Sequence, residues 1–464
     1  MTATLHDLVR FYRNGGLVGE DKAALTALVA LAGDASVVIR GYPGTGKTQA
    51  ADISIGLLPA EIVCRVDMIS KLGIWSKGMV ERVAKARIIY FPEQQNAGDN
   101  DEVAKVLKKW GDGKDAEREK SADYGNDTDL ATLPCRTFIS TAAITNEAHD
   151  KSFDLESARR VVKVNTNPSE DATGRVLASK ADALVKGKEN VRVMSALDVA
   201  RVKKHVAAVM TVQHDAVQRV RFFGAHKLLA AVPKTFPEAR SAFALFEKVL
   251  LGIARFHSET EVRVGDEIFL SPQRVAEVWS FYGDIIVENA LKFDTSDREI
   301  LSAFPQPVWN GEAPAPDCCM DLQTVMRKLK PYGLTDPALI KRQIGRLEMK
   351  GFLAQAEGFR TTRWHRTGLA DVANFCDWPA IIDACVEGAK TYLDGKARDD
   401  YLAKCDEARG ARAMTNPITG DAGPIVGEKS VLYADTATGG YAPVGVQPAA
   451  VAKGIFAFNQ GDKK

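Results

Sequence analysis

The feature that most constrains this chain is the run Gly41-Tyr42-Pro43-Gly44-Thr45-Gly46-Lys47-Thr48 near its start. Its glycines let main-chain N–H groups close around an anion, because a side chain at those places would block the approach. The lysine and hydroxyl follow at the spacing G-x-x-x-x-G-K-[ST], which sets an ammonium against phosphate oxygens and a hydroxyl against a magnesium ion. The flanks agree with this reading. Residues 36–40 (Ser-Val-Val-Ile-Arg) predict a short buried strand, and the stretch from Thr48 to Leu58 predicts a helix whose positive end faces the same anion. ATP and Mg2+ are therefore the expected ligands. Gly41, Pro43, Gly44, Thr45, Gly46, Lys47 and Thr48 are expected to hold the phosphates, and Thr48 to ligate the metal.

Further short apolar runs at 61–66, 86–91, 136–141 and 161–164 predict more strands, separated by helical or irregular stretches. Strands that alternate with helices point to an α/β fold, with a parallel sheet covered on both faces. Ahead of the loop, residues 5–13 and 20–32 carry apolar residues at helical spacing, with Gly15-Gly16 between them. A chain of 464 residues is long enough for roughly three domains.

Composition excludes more than it identifies. The apolar fraction of 45% suits a full core, and a formal net charge of +1 announces neither a nucleic-acid nor a membrane partner. The seven cysteines form no C-x-x-C pair, which suggests reduced, buried thiols of an intracellular protein. The N-terminus lacks a basic segment followed by an apolar core, and no apolar run approaches the roughly 18 residues of a membrane span. A cytoplasmic protein without a membrane partner is expected.

Three strand ends supply the remaining catalytic candidates. Glu93 follows the run Ile88-Ile-Tyr-Phe-Pro92 and is the candidate to position and activate water. Pro92 stands where many such ATPases place an aspartate. Magnesium is then expected on Thr48, phosphate oxygens and water, with Glu93 one water removed from the ion. The run 137–141 ends in hydroxyls; Thr141 is the candidate to hold the lytic water opposite Glu93, with Ser140 and Asn146 as rivals. Arg159 and Arg160 precede the strand at 161–164. A guanidinium there, Arg159 ahead of Arg160, is expected to reach a neighbouring subunit and stabilise charge on the γ-phosphate. No single chain completes such a site, so a ring or stacked oligomer follows.

This order of phosphate loop, acid-ended strand, polar-ended strand and arginine pair, then a helical segment and a compact basic unit, resembles the AAA+ ATPases. Within them it resembles the minichromosome-maintenance-like branch of replicative helicases, over roughly residues 20–370. The resemblance implies an AAA+ nucleotide-binding core (35–180), a helical lid (181–295) and a winged-helix domain (296–370). The residues themselves suggest an N-terminal helical segment (1–34) and, beyond the resemblance, a helix and flexible C-terminal tail (371–464), the chain from about residue 408 being rich in Gly, Ala, Pro, Thr and Asp without helical or strand period. The resemblance implies a homo-oligomeric ring, a hexamer, acting on DNA. It also makes Arg240, in a stretch similar to the lid helix that senses the γ-phosphate, a nucleotide-binding candidate. The polar insertion 96–133 sits where such helicases carry a DNA-engaging hairpin, and offers Lys114, Arg118 and Lys120 beside Asp112, Asp115, Glu117 and Glu119. The N-terminal DNA-binding domain of those helicases has no counterpart in this stretch of chain.

Residues 296–366 read as three helices and a hairpin turning at Glu357-Gly358. Asp336 caps the third helix and Pro337 opens it. With Ile340, Ile344 and Leu347 buried, Lys341, Arg342, Arg346 and Lys350 are left outward, and Arg360 and Arg363 lie on the wing. These six are the expected contacts to single- or double-stranded DNA. The leading expectation is an ATP-driven DNA motor of replication or a mobile element. An initiator or helicase-loader switch and a remodeller of protein complexes are the other readings.

Overall fold

The computed structural model describes residues 2–67, 73–92, 101–120, 129–143, 160–166, 170–186, 194–232, 234, 237–291, 295–305, 309–310, 313–330, 334–367 and 376–425. Its centre is a five-stranded sheet. The strands are β1 (Val37–Gly41), β2 (Val63–Arg65), β3 (Ile88–Phe91), β6 (Thr137–Ala143) and β7 (Val162–Asn165), in the order β2-β3-β6-β1-β7. All neighbours in it run parallel. The five predicted runs become these five strands. β6 lies between the strand that feeds the glycine loop and the strand that ends before Glu93, so its polar end is interposed between them.

Alternation along the strands sorts the sheet's two faces. Val37, Ile39, Ile88, Tyr90, Ile139, Val162 and Val164 join the larger core with the helices α1 (Leu5–Asn14), α2 (Asp21–Ala32) and α3 (Lys47–Ile55). Val38, Cys64, Ile89, Phe91 and Phe138 face the other way. They pack with Trp75, with Val83 of α4 (Lys77–Lys85), and with Val103, Val106, Leu107 and Trp110 of α5 (Asp101–Gly111). The polar insertion is thus a helix followed by the antiparallel hairpin β4 (Ala116–Lys120) and β5 (Asp129–Leu133).

The expected N-terminal segment is not an appendage. Every residue of α2 except Lys22 is buried. Beyond the sheet come α6 (Glu170–Lys186), α7 (Ala196–Ala208), α8 (Glu238–Phe256) and α9 (Pro272–Ala290), with a small sheet of β8 (Arg219–Arg221), β9 (Val262–Val264) and β10 (Glu267–Phe269) that periodicity did not suggest. α8 meets α2 backbone to backbone. A Cβ on Gly33 would lie 1.7 Å from the Lys248 carbonyl oxygen, and one on Gly252 would lie 2.0 Å from that of Val29. Only glycine permits that approach at both places. Asp34, just past α2, has a positive φ of 59°. Its carboxylate takes Arg255 at 2.8 Å, His214 at 3.0 Å and Arg87 at 3.1 Å, which ties α8 and the turn before β8 to the start of β3.

Residues 295–367 form the compact basic unit. It holds the short strand pair β11 (Trp309–Asn310) and β12 (Ala313–Pro314), the helices α10 (Thr295–Ala303), α11 (Leu322–Leu329) and α12 (Pro337–Met349), and the sheet of β13 (Met320–Asp321), β14 (Leu353–Ala356) and β15 (Arg363–Arg366) in the order β13-β15-β14. The helices α13 (Trp378–Tyr392) and α14 (Gly395–Ala408) return to the core, where the Tyr401 hydroxyl donates to the Leu270 carbonyl at 2.8 Å. Of the tail expected to be flexible, the described part holds the strands β16 (Met414–Thr415) and β17 (Ala422–Gly423), which close a turn against α1, where Arg13 donates to the Ile418 carbonyl at 2.9 Å. Residues 426–464 lie outside the described residues. All seven cysteines are free thiols. Among the described residues, no helix is long and apolar enough to cross a membrane.

Candidate active site

β1 delivers the chain to Gly41, and the loop turns back through Gly44 and Gly46 before α3 starts at Lys47. Both of those glycines have φ near +84°, a conformation that side chains resist. A Cβ at Gly44 would meet nothing within 4 Å, so the loop leaves open space on that side. At Gly41 a Cβ would lie 1.7 Å from the Thr166 hydroxyl, which explains why the first glycine is needed.

A small hydrogen-bond network sets the loop's shape. Thr45 donates to the Tyr42 carbonyl at 2.8 Å, and its hydroxyl lies 2.7 Å from that of Thr166, past β7. The Lys47 ammonium donates to the Tyr42 carbonyl at 2.8 Å. Thr48 occupies the first turn of α3 with its side chain exposed, and Pro43 is exposed on the loop. The seven loop residues are therefore together, around the positive end of α3.

Other neighbours of the loop gave no sequence signal. Buried Glu20, just ahead of α2, lies against Gly46, its Cγ 3.6 Å from where a Cβ would stand. The Tyr42 hydroxyl donates to the carboxylate of Glu299, a buried residue of α10 and 257 residues distant in sequence, at 2.7 Å. Below the loop, the Tyr90 hydroxyl donates to Asp52 of α3 at 2.8 Å. Burial and this bond both push the Tyr90 phenol far above its ordinary range, so it stays a donor.

The strand-end candidates divide. Thr141 is buried, and its hydroxyl donates to the Pro92 carbonyl, which places it beside the residue that leads to Glu93. Ser140 is buried and pairs with Phe91 in register. Glu93, Asn146 and Arg159 lie outside the described residues. Arg160 is half-buried and held by its own chain, with Asp112 at 2.7 Å and the Lys108 carbonyl at 3.3 Å. Arg240, in the first turn of α8, is exposed. It is not brought to the loop by the contacts of α8 with the core, because Lys248 and Gly252 meet the C-terminal end of α2, at the opposite end of the sheet from Gly44.

The cations expected to face DNA also fall into two sets. Lys341, Arg342 and Arg360 are exposed, and the Arg363 guanidinium stacks on the Phe359 ring at 4.6 Å. Arg346 and Lys350 instead turn to the fully buried Asp297 of α10, at 3.3 Å and 2.8 Å. The expected outward face of α12 is thus narrower than its sequence pattern implies: an amphipathic pattern shows which residues leave the core, and not which of them a neighbouring helix neutralises. In the hairpin, Lys114 is exposed and Arg118 half-buried, while the side chain of Lys120 lies outside the described residues. Two nearby acids have structural partners, Asp112 in Arg160 and Asp115 in the Cys135 N–H at 2.7 Å. Asp112, paired with a cation of another segment, therefore offsets less of the hairpin's positive charge than the sequence suggested, while Asp115 keeps its charge.

A parallel sheet whose first strand ends in this loop and helix is consistent with a P-loop ATPase-like fold. No protein-family model matches the chain, and no curated protein matches it. One solved structure similar to it, from Cytophaga hutchinsonii, is described as a putative ATPase. The two are 13% identical, the match covers 60% of this chain and 87% of that one, and the TM-score is 0.32. A likeness that slight carries no functional weight, so any assignment rests on the residues themselves.

Proposed function

We propose that this chain is a magnesium-dependent ATPase of the AAA+ type that works as a homo-oligomeric ring, a hexamer, on DNA. The observation that carries the ATPase reading is the loop itself: Gly44 and Gly46 in left-handed conformation, open space beside Gly44, and Lys47 and Thr48 in the first turn of α3. On binding, Lys47 exchanges the Tyr42 carbonyl for the β- and γ-phosphate oxygens. Magnesium needs few protein ligands because it keeps water and phosphate oxygens around it, and Thr48 would hold it. A magnesium ion held by Thr48 would neutralise charge on the phosphates. Glu93 takes the proton of the attacking water, and Thr141 fixes the strand end that carries Glu93 through the Pro92 carbonyl. Arg159 of one subunit serves the γ-phosphate held by the next, while Arg160 anchors that segment to Asp112.

The DNA reading rests on the unit 295–367. Three helices and a three-stranded sheet in this order support a winged helix, with Lys341, Arg342, Arg360 and Arg363 as its outward cations. A switch that uses ATP chiefly to assemble, rather than a motor, is favoured by one contact. The bond from Tyr42 to Glu299 joins the phosphate loop directly to the helix that opens this unit.

The test is ATP hydrolysis by purified protein with and without DNA, alongside strand displacement. Lys47→Ala should abolish turnover, by at least roughly a hundredfold if Lys47 stabilises the transition state as such lysines do. Stimulation by DNA with displacement supports the motor; stimulation alone supports the switch. A protein that stays monomeric at saturating ATP yet hydrolyses at full rate would remove the arginine supplied by a neighbour.

A further inference from the structure

At the end of the sheet opposite the phosphate loop is a cleft of about 490 Å³. It lies where β1, β3 and β6 begin, and it is lined by Lys85, Arg87, Arg136, Arg160, Lys248 and His214; among the described lining residues Asp34 is the one carboxylate, with Asp112 beside Arg160 and Asp215 beside His214. Such a volume suits a small ligand, and the charge of the lining suits an anion.

Pairing within the chain does not consume this charge. Asp34 is shared by Arg87, Arg255 and His214, and Arg160 has Asp112. Among the described residues, Arg136 donates only to carbonyls, those of Val83, Ala84 and Cys135. Lys248 donates to the Asp34 carbonyl at 3.3 Å. Among the described residues, Lys85, Arg136 and Lys248 have no carboxylate partner. A second observation is independent of charge. Trp110 lines the cleft and is 3% exposed, and its buried indole N–H has no acceptor among the described residues. Orphaned buried donors are rare and call for an explanation.

We infer that this cleft is a second anion site, distinct from the phosphate loop, which takes a phosphate chain. Arg136 and Arg87 form its fixed floor, Lys85 and Lys248 its adjustable rim, and the Trp110 N–H supplies one donor to a phosphate oxygen. The shared chemistry is the phosphodiester or phosphoanhydride oxygen, whether carried by a free polyphosphate or by a nucleic-acid strand. The inference does not depend on ATP hydrolysis.

The experiment uses the full chain carrying Lys47→Ala, so that binding at the phosphate loop is removed. Inorganic tripolyphosphate and a single-stranded oligonucleotide are titrated separately, by calorimetry and anisotropy. One or both should bind this variant. The added pair Lys85→Glu and Lys248→Glu should weaken that binding at least tenfold, with an unchanged melting temperature because both side chains are exposed. Trp110→Phe should weaken it several-fold at unchanged salt dependence. Response of tripolyphosphate alone identifies a free polyphosphate, and response of the oligonucleotide identifies a strand. Binding that vanishes with Lys47→Ala, or that the rim and Trp110 variants leave unchanged, overturns the proposal.

Discussion

Asp34 shows how much one side chain can organise. Its backbone turns left-handed where α2 must stop, and its carboxylate collects two guanidiniums and an imidazole from distant segments. Burial works against the ionised carboxylate, but the His214 and Arg255 contacts outweigh it and hold the Asp34 pKa well below the usual range. A carboxyl depressed on folding stabilises the native state above its unfolded pKa of about 3.9, and that contribution is lost as the pH falls toward the folded value. Asp34→Asn should therefore lower stability at pH 7 and flatten the loss of stability below about pH 4. Urea unfolding across pH checks both effects, and an unchanged acid slope would exclude the role. None of this was legible in sequence, where Asp34 is a polar residue between a helix and a strand. By contrast Lys47, Thr48 and the loop glycines were legible residue by residue, because phosphate wrapping constrains consecutive positions.

At the scale of elements, α10 is the joint. Glu299 touches the phosphate loop through Tyr42, and two residues earlier Asp297 takes Arg346 and Lys350 of α12. Replacing Asp297 by Asn removes the fully buried carboxylate that Arg346 and Lys350 share, and should lower stability by about 3–5 kcal/mol. Arg342→Ala, on the exposed side of the same α12, should change stability by no more than about 0.5 kcal/mol. Equal effects in denaturant unfolding would contradict this division of α12. The five strands of the sheet were readable because short apolar runs buried on both faces leave little choice of element. The hairpin β4–β5 was not readable from its own residues: β4 (Ala-Glu-Arg-Glu-Lys) is almost wholly charged, and the pair meets the core only through Ala116, Ala131 and Leu133 among the described residues.

For the whole molecule, the large core runs from α1 through one face of the sheet to α14. The proposed boundary at residue 34 thus divides a stretch of sequence and not a core. Deletion of residues 1–33 should yield aggregated or molten protein, because the apolar faces of the sheet and of α8 lose α2. A soluble truncated chain with a cooperative melt would show the opposite. Contacts of this range, such as α1 with residues 417–420, join segments some 400 residues apart, which no local pattern encodes.

The glycine crossing of α2 and α8 has a mechanical consequence. With main chain against main chain at Gly33 and Gly252, the crossing point has no side chain to act as a bearing, and this resists one helix rolling over the other. If ATP turnover displaces α8, the displacement must carry α2 and β1 with it as one stiff lever, and the bending must occur in the connections on either side.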